Sequence, residues 1–550
     1  MGREERPRPS QSPRWPWLCL VLAMFWVALV RLPLILNAEI HLDSDLAVDG
    51  LTLLDATHGH WRWHFPGTPY MGIPPILLSY PGALALGVNA RSLVLGGVIA
   101  YEAVVLATFL LCWKAFGPRV AAWGLVPLAF ASVGTVWLSG RVTGGHLLTL
   151  AWHVAALAML HGLLRKGGIF RAFALGIWCG FGLYLDQMFL MTLLTVAAIV
   201  FPAMLSGRTW AIRFGLTLAC LIGFAIGVVP RFLGERSDPH DAYEGQFSTI
   251  FRPETNGPLK GQVDRDRVKT LLKNHASLFV LECLPRLISG HLLTGTEFPT
   301  EPPPRSLAGG APAKPAEPLH WLGSATIAVT IPLFFASLLA LGFARTRDEP
   351  ASASAVRFAM ILSAGLVTGG FLISTNIFNS DNYRYLVYWL LPSAVGFGLL
   401  MDSLWRRGIG GRALALLLSL GLAGILTIDT FQWYRGFGWI DDKVQPHQRV
   451  LHDPALEYLQ GHPRVTSIFG GYWDVYRLQF LLGGHVEGLP FPNYPDRYNA
   501  ALRFRDGHPA ILIARPDKLA GFYKRKAIDD GGTILLNDPG VVIIDWPLRP

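Results

Sequence analysis

Charge is what this sequence is short of. Only 15% of its 550 residues are Asp, Glu, Lys or Arg, against roughly 25% in an average soluble domain, while 51% are hydrophobic. An ordinary soluble enzyme is excluded. Cysteine is scarce as well: Cys19, Cys112, Cys179, Cys220 and Cys283 are scattered, with no CxxC or metal-ligand spacing, so neither a disulfide framework nor a zinc site is implied. No internal repeat is evident, whereas many transporters are built from two related halves. The charge that remains is mildly basic, +9 in net. That excess is either a nucleic-acid footprint or the positive-inside bias of a membrane protein.

What the sequence has in abundance is apolar length. Windows of about 20 apolar residues, enough to cross a hydrocarbon core, fall at 15–37, 91–113, 119–138, 145–164, 171–185, 187–205, 210–231, 320–343, 356–375, 384–402 and 411–430. They predict an α-helical polytopic membrane protein with about eleven transmembrane helices. The first window is too long for a signal peptide, and the leader 1–14, with Arg3, Arg6, Arg8 and Arg14, is expected to stay in the cytoplasm. Alternation then places Lys114 and Arg119, Arg165, Lys166 and Arg171, Arg208 and Arg213, Arg345, Arg347 and Arg357, and Arg406, Arg407 and Arg412 in cytoplasmic loops. The short outside loops carry only Arg141 and Arg384. One missed helix would invert the later loops, so the basic excess reads as topology and no nucleic-acid partner is expected.

The polar segments all fall outside. A module of 15–430 includes a first outside loop at 38–90 and a long one at 232–318, the latter with an amphipathic helix at 264–289 followed by a proline-rich linker at 297–318. The tail 431–550 alternates strand-like runs at 465–469, 511–514, 533–536 and 541–544 with helix-like ones at 454–460, 473–482, 496–504 and 517–528. It reads as a small extracytoplasmic α/β domain.

The first outside loop is the most specific stretch. In the run from His41 to His60, Asp43 or Ser44 can cap a helix that starts near Asp45 and carries Asp45, Asp49 and Thr52 on one face. Such a helix is expected to lie at the membrane surface with its acids on one side. The plain alternative is that Asp43 and Asp45 only cap it and interact with its dipole. An aromatic, Gly- and Pro-rich stretch follows, with Trp61, Trp63, Tyr70 and Tyr80. These rings suit an interfacial belt or, alternatively, sugar stacking.

Several short motifs in order then resemble the GT-C superfamily of polytopic glycosyltransferases, the group that includes protein O-mannosyltransferases and the aminoarabinose transferases of lipid A. They are Ser44-Asp45 with Ala47, Gly50 and Leu51; Pro69-Tyr70-Met71-Gly72; Gly144-Gly145-His146; Gly182 to Asp186; Tyr383-Arg384-Tyr385-Leu386; and Gly470 to Leu478. Within that superfamily the chain looks closest to bacterial members of the family 39-like group. It departs from them in having Asp-Ser-Asp in place of an adjacent Asp-Glu pair, and Ile73-Pro74-Pro75 in place of an acidic residue after Tyr-Met-Gly.

The resemblance implies a GT-C fold and transfer of a sugar from a polyprenyl phosphate to an extracytoplasmic glycan, lipid or protein, with inversion in a single displacement. The setting would be a bacterial inner (plasma) membrane. Nucleotide sugars are absent outside the cytoplasm, so a lipid-borne donor fits the topology. Attack by an acceptor hydroxyl needs a base, for which Asp45 is the first choice and Asp43 the second. The departing phosphate needs a cation or hydrogen-bond donors, a task suited to Arg384 with Tyr383. Asp186, His146, Tyr70 and His64 are candidates for substrate contacts.

Each assignment has a structural alternative. Arg384 and Arg31 can snorkel from span ends, Asp186 can sit in a wet turn, and His146 can be a helix-start histidine with ordinary hydrogen bonds. Glu102, inside a span, is expected to be paired within the bundle. His58, His60 and His64 with the two aspartates, or Asp238, His240, Asp241 and Glu244, are the places where a divalent cation would be sought; no cofactor is implied firmly. Two other readings compete with the transferase: a transporter or flippase for a lipid or small solute, and a scaffold whose tail binds partners. The transporter reading expects broken helices around a midplane site, whereas here the acids gather at one outer surface.

Overall fold

The computed structural model describes residues 14–66, 68–142, 146–205, 210–237, 265–294, 320–346, 349–374, 377, 379–491 and 510–546. Most of the leader, the Gly144-Gly145 pair, the Asp238 to Glu244 cluster, the proline-rich linker and the expected helix at 496–504 lie outside the described residues. Among those described, eight helices are long and apolar enough to cross a membrane, and two shorter apolar ones, Ile169–Leu185 and Gln187–Pro202, coincide with expected spans. The chain is an integral, multi-pass membrane protein.

The remaining expected span, 119–138, is not one helix. It divides into α7 (Pro118–Gly124), α8 (Val126–Ala129) and α9 (Val133–Leu138). Pro127 has no N–H to give to the preceding turn and its ring crowds the carbonyl four residues back, which breaks the helix before it. Ser132 then caps α9, its hydroxyl accepting from Thr135 N–H at 3.2 Å.

The first span is α1 (Trp15–Val30) followed by α2 (Leu32–Leu36). Between them Arg31 corrects the snorkelling expectation, because its side chain is wholly buried. Its Nε donates to Ser139 Oγ at 2.5 Å, its Nη1 donates to Val27 O at 3.0 Å, and its guanidinium lies 4.4 Å from the centre of the Tyr101 ring. Glu102, next to Tyr101 in the chain, acts on the same cation through space, without an ion pair between the two. A buried arginine is tolerable only with such company.

After the surface-proximal elements α3 (Ser44–Thr57), β1 (His64–Phe65), β2 (Thr68–Gly72), α4 (Pro74–Leu77) and α5 (Tyr80–Leu86) come α6 (Ala90–Phe116), α10 (His146–Lys166), α11 (Ile169–Leu185), α12 (Leu190–Leu205), α13 (Trp210–Gly227) and α14 (Val229–Ser237). Gly176, Gly180, Gly223 and Gly227 let α11 and α13 meet backbone to backbone: a β-carbon at Gly180 would run into Phe224 O, and one at Gly227 into Ile177 O. This is the small-residue packing that substitutes for a hydrophobic driving force in lipid.

The expected amphipathic helix in the long loop is present as α15 (Arg265–Leu278), a π turn at Phe279–Cys283 and α16 (Leu284–Ser289). It docks on α9, where Ser132 Oγ donates to Leu287 O at 2.6 Å. The last spans are α17 (His320–Phe343), α18 (Ala351–Ile373), a 3-10 turn at Ser380–Trp389 running into α19 (Leu390–Trp405), and α20 (Ile409–Gly436).

The tail holds α21 (Pro454–Gly461), β3 (Ser467–Gly470), α22 (Tyr472–Leu481), β4 (Glu487–Pro490), β5 (Ala510–Ala514), α23 (Lys518–Asp529), β6 (Thr533–Asp538) and β7 (Val541–Trp546). Its sheet runs β4-β3-β5-β7-β6, parallel from β4 to β5 and antiparallel thereafter. Strand β4 was not expected; Gly488 and Pro490 hid it, since both weaken a strand pattern, and it forms at the sheet edge where they are tolerated. One face of the sheet shares a continuous apolar core with the helices, through Ile468, Val475, Leu478 and Ile543. The other face packs separately under α23.

Candidate active site

Helix α3 carries the acids. It does not present a wet acidic face as the spacing suggested: Asp49 and Thr52 are buried, because α22 of the tail covers the helix. Gly50 sits under the Phe480 ring, where any larger residue would collide. Asp43 is the N-cap, accepting from Leu46 N–H at 2.8 Å through Oδ1, while Oδ2 takes the guanidinium of Arg141. Both oxygens are therefore engaged in charge-assisted bonds. Asp45, in the first turn, accepts a hydrogen bond from the Tyr472 hydroxyl at 2.6 Å, and Ser44 Oγ donates to the Tyr472 carbonyl at 2.6 Å. Two residues of α3 thus grip one residue of the tail.

His41 supports this corner as a neutral group. Its ring lies between Trp137 and Trp439, at 5.3 and 5.7 Å between centroids, and its Nε2 donates to Leu34 O at 2.9 Å. Burial pushes its pKa down to about 4, and the nearby Arg141 acts in the same direction against the Leu34 bond.

A second cluster forms where the start of α10 and the end of α11 meet the 3-10 turn at Ser380–Trp389. His146 Nδ1 is 3.2 Å from Asp186 Oδ2, and Met188 N–H donates to Asp186 Oδ1 at 2.9 Å. Both side chains are buried, and Asp186 forms a backbone bridge with Met71 of β2. The Tyr385 ring meets His146 edge-on at 5.1 Å, and the Arg384 guanidinium lies 5.3 Å from the Tyr385 ring centre. Arg141 and His146 are five residues apart in the chain, so their Cα atoms cannot be separated by more than about 18 Å. That short connection keeps the two clusters at one end of the bundle.

The other sequence candidates fall less centrally. The Tyr383 hydroxyl donates its one proton to Gly134 O at 2.9 Å, and its ring is covered by Arg286 at 4.8 Å. In this arrangement the Tyr383 hydroxyl is turned toward the backbone. His64 is buried against Gly234 and the Tyr184 ring, whereas His58 and His60 are exposed, so the three histidines do not converge. Among the described residues no group of three or more His, Cys, Asp or Glu is arranged to hold a metal ion. Tyr70 lies in β2, and its side chain is outside the described set.

Arg141 and Tyr472 are the site residues that reading the sequence overlooked. Arg141 had left a trace, being one of the two arginines on the side where basic residues are scarce. Tyr472 lies within the Gly470 to Leu478 motif, but nothing in that stretch says that the tail reaches α3.

The chain is thus a bundle of apolar helices with an acid-bearing helix in its first loop and a sheet-bearing tail packed against that helix. No protein-family model matches the sequence, and no curated protein matches it. Among solved structures, ArnT from Cupriavidus metallidurans in the apo state is similar at a TM-score of 0.55 and 13% identity, over 95% of this chain and 97% of ArnT. The structure of the same protein bound to undecaprenyl phosphate is similar at 0.55 and 13%, over 96% and 97%. At that identity the likeness establishes the fold.

Proposed function

We propose that the protein is an integral membrane glycosyltransferase that moves a sugar from a polyprenyl-phosphate donor to an extracytoplasmic acceptor, a glycan, lipid or protein. The observation that carries the reading is the Asp45 carboxylate held by the Tyr472 hydroxyl at the bundle end that also bears Arg384, in a fold shared with a protein captured with undecaprenyl phosphate. Asp45 takes the proton from the acceptor hydroxyl as it attacks the anomeric carbon. Arg384 stabilises the lipid phosphate as it leaves. Asp186 and His146, as a hydrogen-bonded pair, orient the sugar, and the inversion follows from attack opposite the leaving group.

Asp43 is assigned to anchoring α3 through Arg141, not to base catalysis. The same reading keeps the division into a 15–430 module and a 431–550 domain, with the leader in the cytoplasm of a bacterial inner membrane and the tail outside. The test is release of polyprenyl phosphate by purified protein given a panel of polyprenyl-phosphate sugars and acceptors. Turnover that disappears in Asp45→Asn supports the reading; no turnover with any pair, together with movement of a lipid or solute across proteoliposomes, favours the transporter.

A further inference from the structure

At the end of the bundle remote from Asp45 there is a second concave feature. The starts of α1 and α7 and the end of α19 frame a groove of about 460 Å³. Its walls are aromatic: Trp15 and Trp26 of α1, Trp123 of α7, Phe130 and Trp405. Trp26 packs on Phe130 at 5.4 Å and Trp123 on Trp405 at 5.7 Å. Trp17 meets Phe109 and Trp113 near the end of α6, so the Trp15 end of the groove is the end at which α6 finishes and α7 begins. Arg119 lines that end, and Arg412 lies over the outer Trp405 ring at 5.7 Å. Arg119 is exposed and has no ion pair among the described residues.

The groove exists because the chain after α6 does not continue as one helix along α1. The break at Pro127 interrupts the ridge that a full span would lay there, and Ala23 and Ala129, both buried, give the gap depth. From Trp15 to Trp26 is eleven residues of α1, or about 16 Å of rise. That is half of a hydrocarbon core roughly 30 Å thick, the depth of one acyl chain in one leaflet. A polyprenyl chain would outrun it, and the donor phosphate in the proposed reaction sits at the opposite end of the bundle.

We propose that this groove is a specific site for one anionic glycerophospholipid, with an acyl chain against the aromatic wall and the phosphate on Arg119. It differs from the surrounding lipid contact surface in being concave, ring-lined and cationic at one end only. The site does not depend on the transferase reading.

The test is native mass spectrometry of the full-length protein titrated with phosphatidylglycerol, with phosphatidylcholine of the same chains, and with undecaprenyl phosphate. The wild type is expected to retain one phosphatidylglycerol in preference to phosphatidylcholine. Arg119→Gln should lower the phosphatidylglycerol affinity about fivefold, the factor for one basic group at an anionic headgroup, and leave phosphatidylcholine unchanged. Ala23→Phe should fill the groove and abolish retention of either; should it fail to fold, the exposed Arg119 variant carries the test alone. Arg165→Gln, a cation of another loop, should change nothing. Equal losses in Arg119→Gln and Arg165→Gln would overturn the proposal in favour of a general annulus. Displacement of phosphatidylglycerol by undecaprenyl phosphate, with Arg119→Gln weakening only the latter, would overturn it in favour of a donor-lipid channel.

Discussion

The two aspartates of the first loop differ in what their oxygens are doing. Asp43 has spent one on the start of α3 and the other on Arg141, while Asp45 accepts from a neutral hydroxyl, that of Tyr472. Asp45→Asn is therefore expected to cost about 10²- to 10⁴-fold in turnover with the protein still folded, the usual loss of a general base. Asp43→Asn should instead destabilise, by about 1.5–3 kcal/mol for the charged hydrogen bonds weakened, with a lower melting temperature as the readout. The reverse pattern would exchange the two roles. Tyr472→Phe takes away the hydroxyl that holds the Asp45 carboxylate, and is expected to lower kcat about tenfold with KM and melting temperature unchanged, for about 1.5 kcal/mol of a hydrogen bond to a charged group. A fall in melting temperature with kcat unchanged would leave Tyr472 a merely structural contact. At this scale Asp43 and Asp45 were legible in the sequence, because cap residues and first-turn acids have local signatures. Their partners were not, since the Tyr472 contact is made across more than 400 residues of chain.

The elements explain how the acids are held still. The corner between α2 and α3 is clamped to the start of the tail: Asn37 Nδ2 donates to His447 O at 2.8 Å, Arg449 N–H donates to Asn37 Oδ1 at 3.0 Å, and His41 packs on Trp439. His41 gives the clamp a pH dependence whose sign follows from its lowered pKa. Between the ordinary value of about 6.5 and the folded value of about 4, the unfolded chain binds a proton that the folded chain refuses, so stability falls as pH drops through that window. The loss is on the order of 3 kcal/mol once pH reaches about 4. Unfolding of the wild type should ease between pH 6.5 and 4, and His41→Gln should lose that part of the slope; an unchanged slope would show that the imidazole is not the group responsible. The helical elements themselves followed from apolar length and charge alternation. The broken third span did not, although Pro118 and Pro127 were visible, because a window of 20 apolar residues counts hydropathy and is blind to a missing N–H. The two arginines that stood against the charge bias, Arg141 and Arg384, both belong to the acid clusters, so the exceptions to the topology rule were the better guide to chemistry than the rule.

For the whole molecule, the tail is part of the site and not an appendage. Its α22 covers α3, its Tyr472 reaches Asp45, and one face of its sheet continues the core of the bundle. A cluster of Asp453, Asp474, Arg477 and Arg515 braces it from within. Burial alone would raise the Asp453 carboxyl, and the guanidinium groups of Arg477 and Arg515 overcome that and hold it below its usual range. Two predictions belong at this scale. A reporter fused after Pro550 should read as extracytoplasmic, and a cytoplasmic signal would overturn the orientation and with it the lipid-borne donor. Ending the chain after Gly436 should leave membrane insertion intact, because the apolar spans and basic loops all precede it. It would also strip the cover from Leu46, Ala47 and Leu51 of α3, which are almost fully buried in the intact chain, and remove the Tyr472 hydroxyl from Asp45. The shortened protein is therefore expected to reach the membrane at normal levels, to aggregate on extraction into detergent, and to release no lipid phosphate. If it extracts as a monodisperse species and still turns over, the base does not need the tail, and the contact between Tyr472 and Asp45 is a consequence of packing instead of a part of the chemistry.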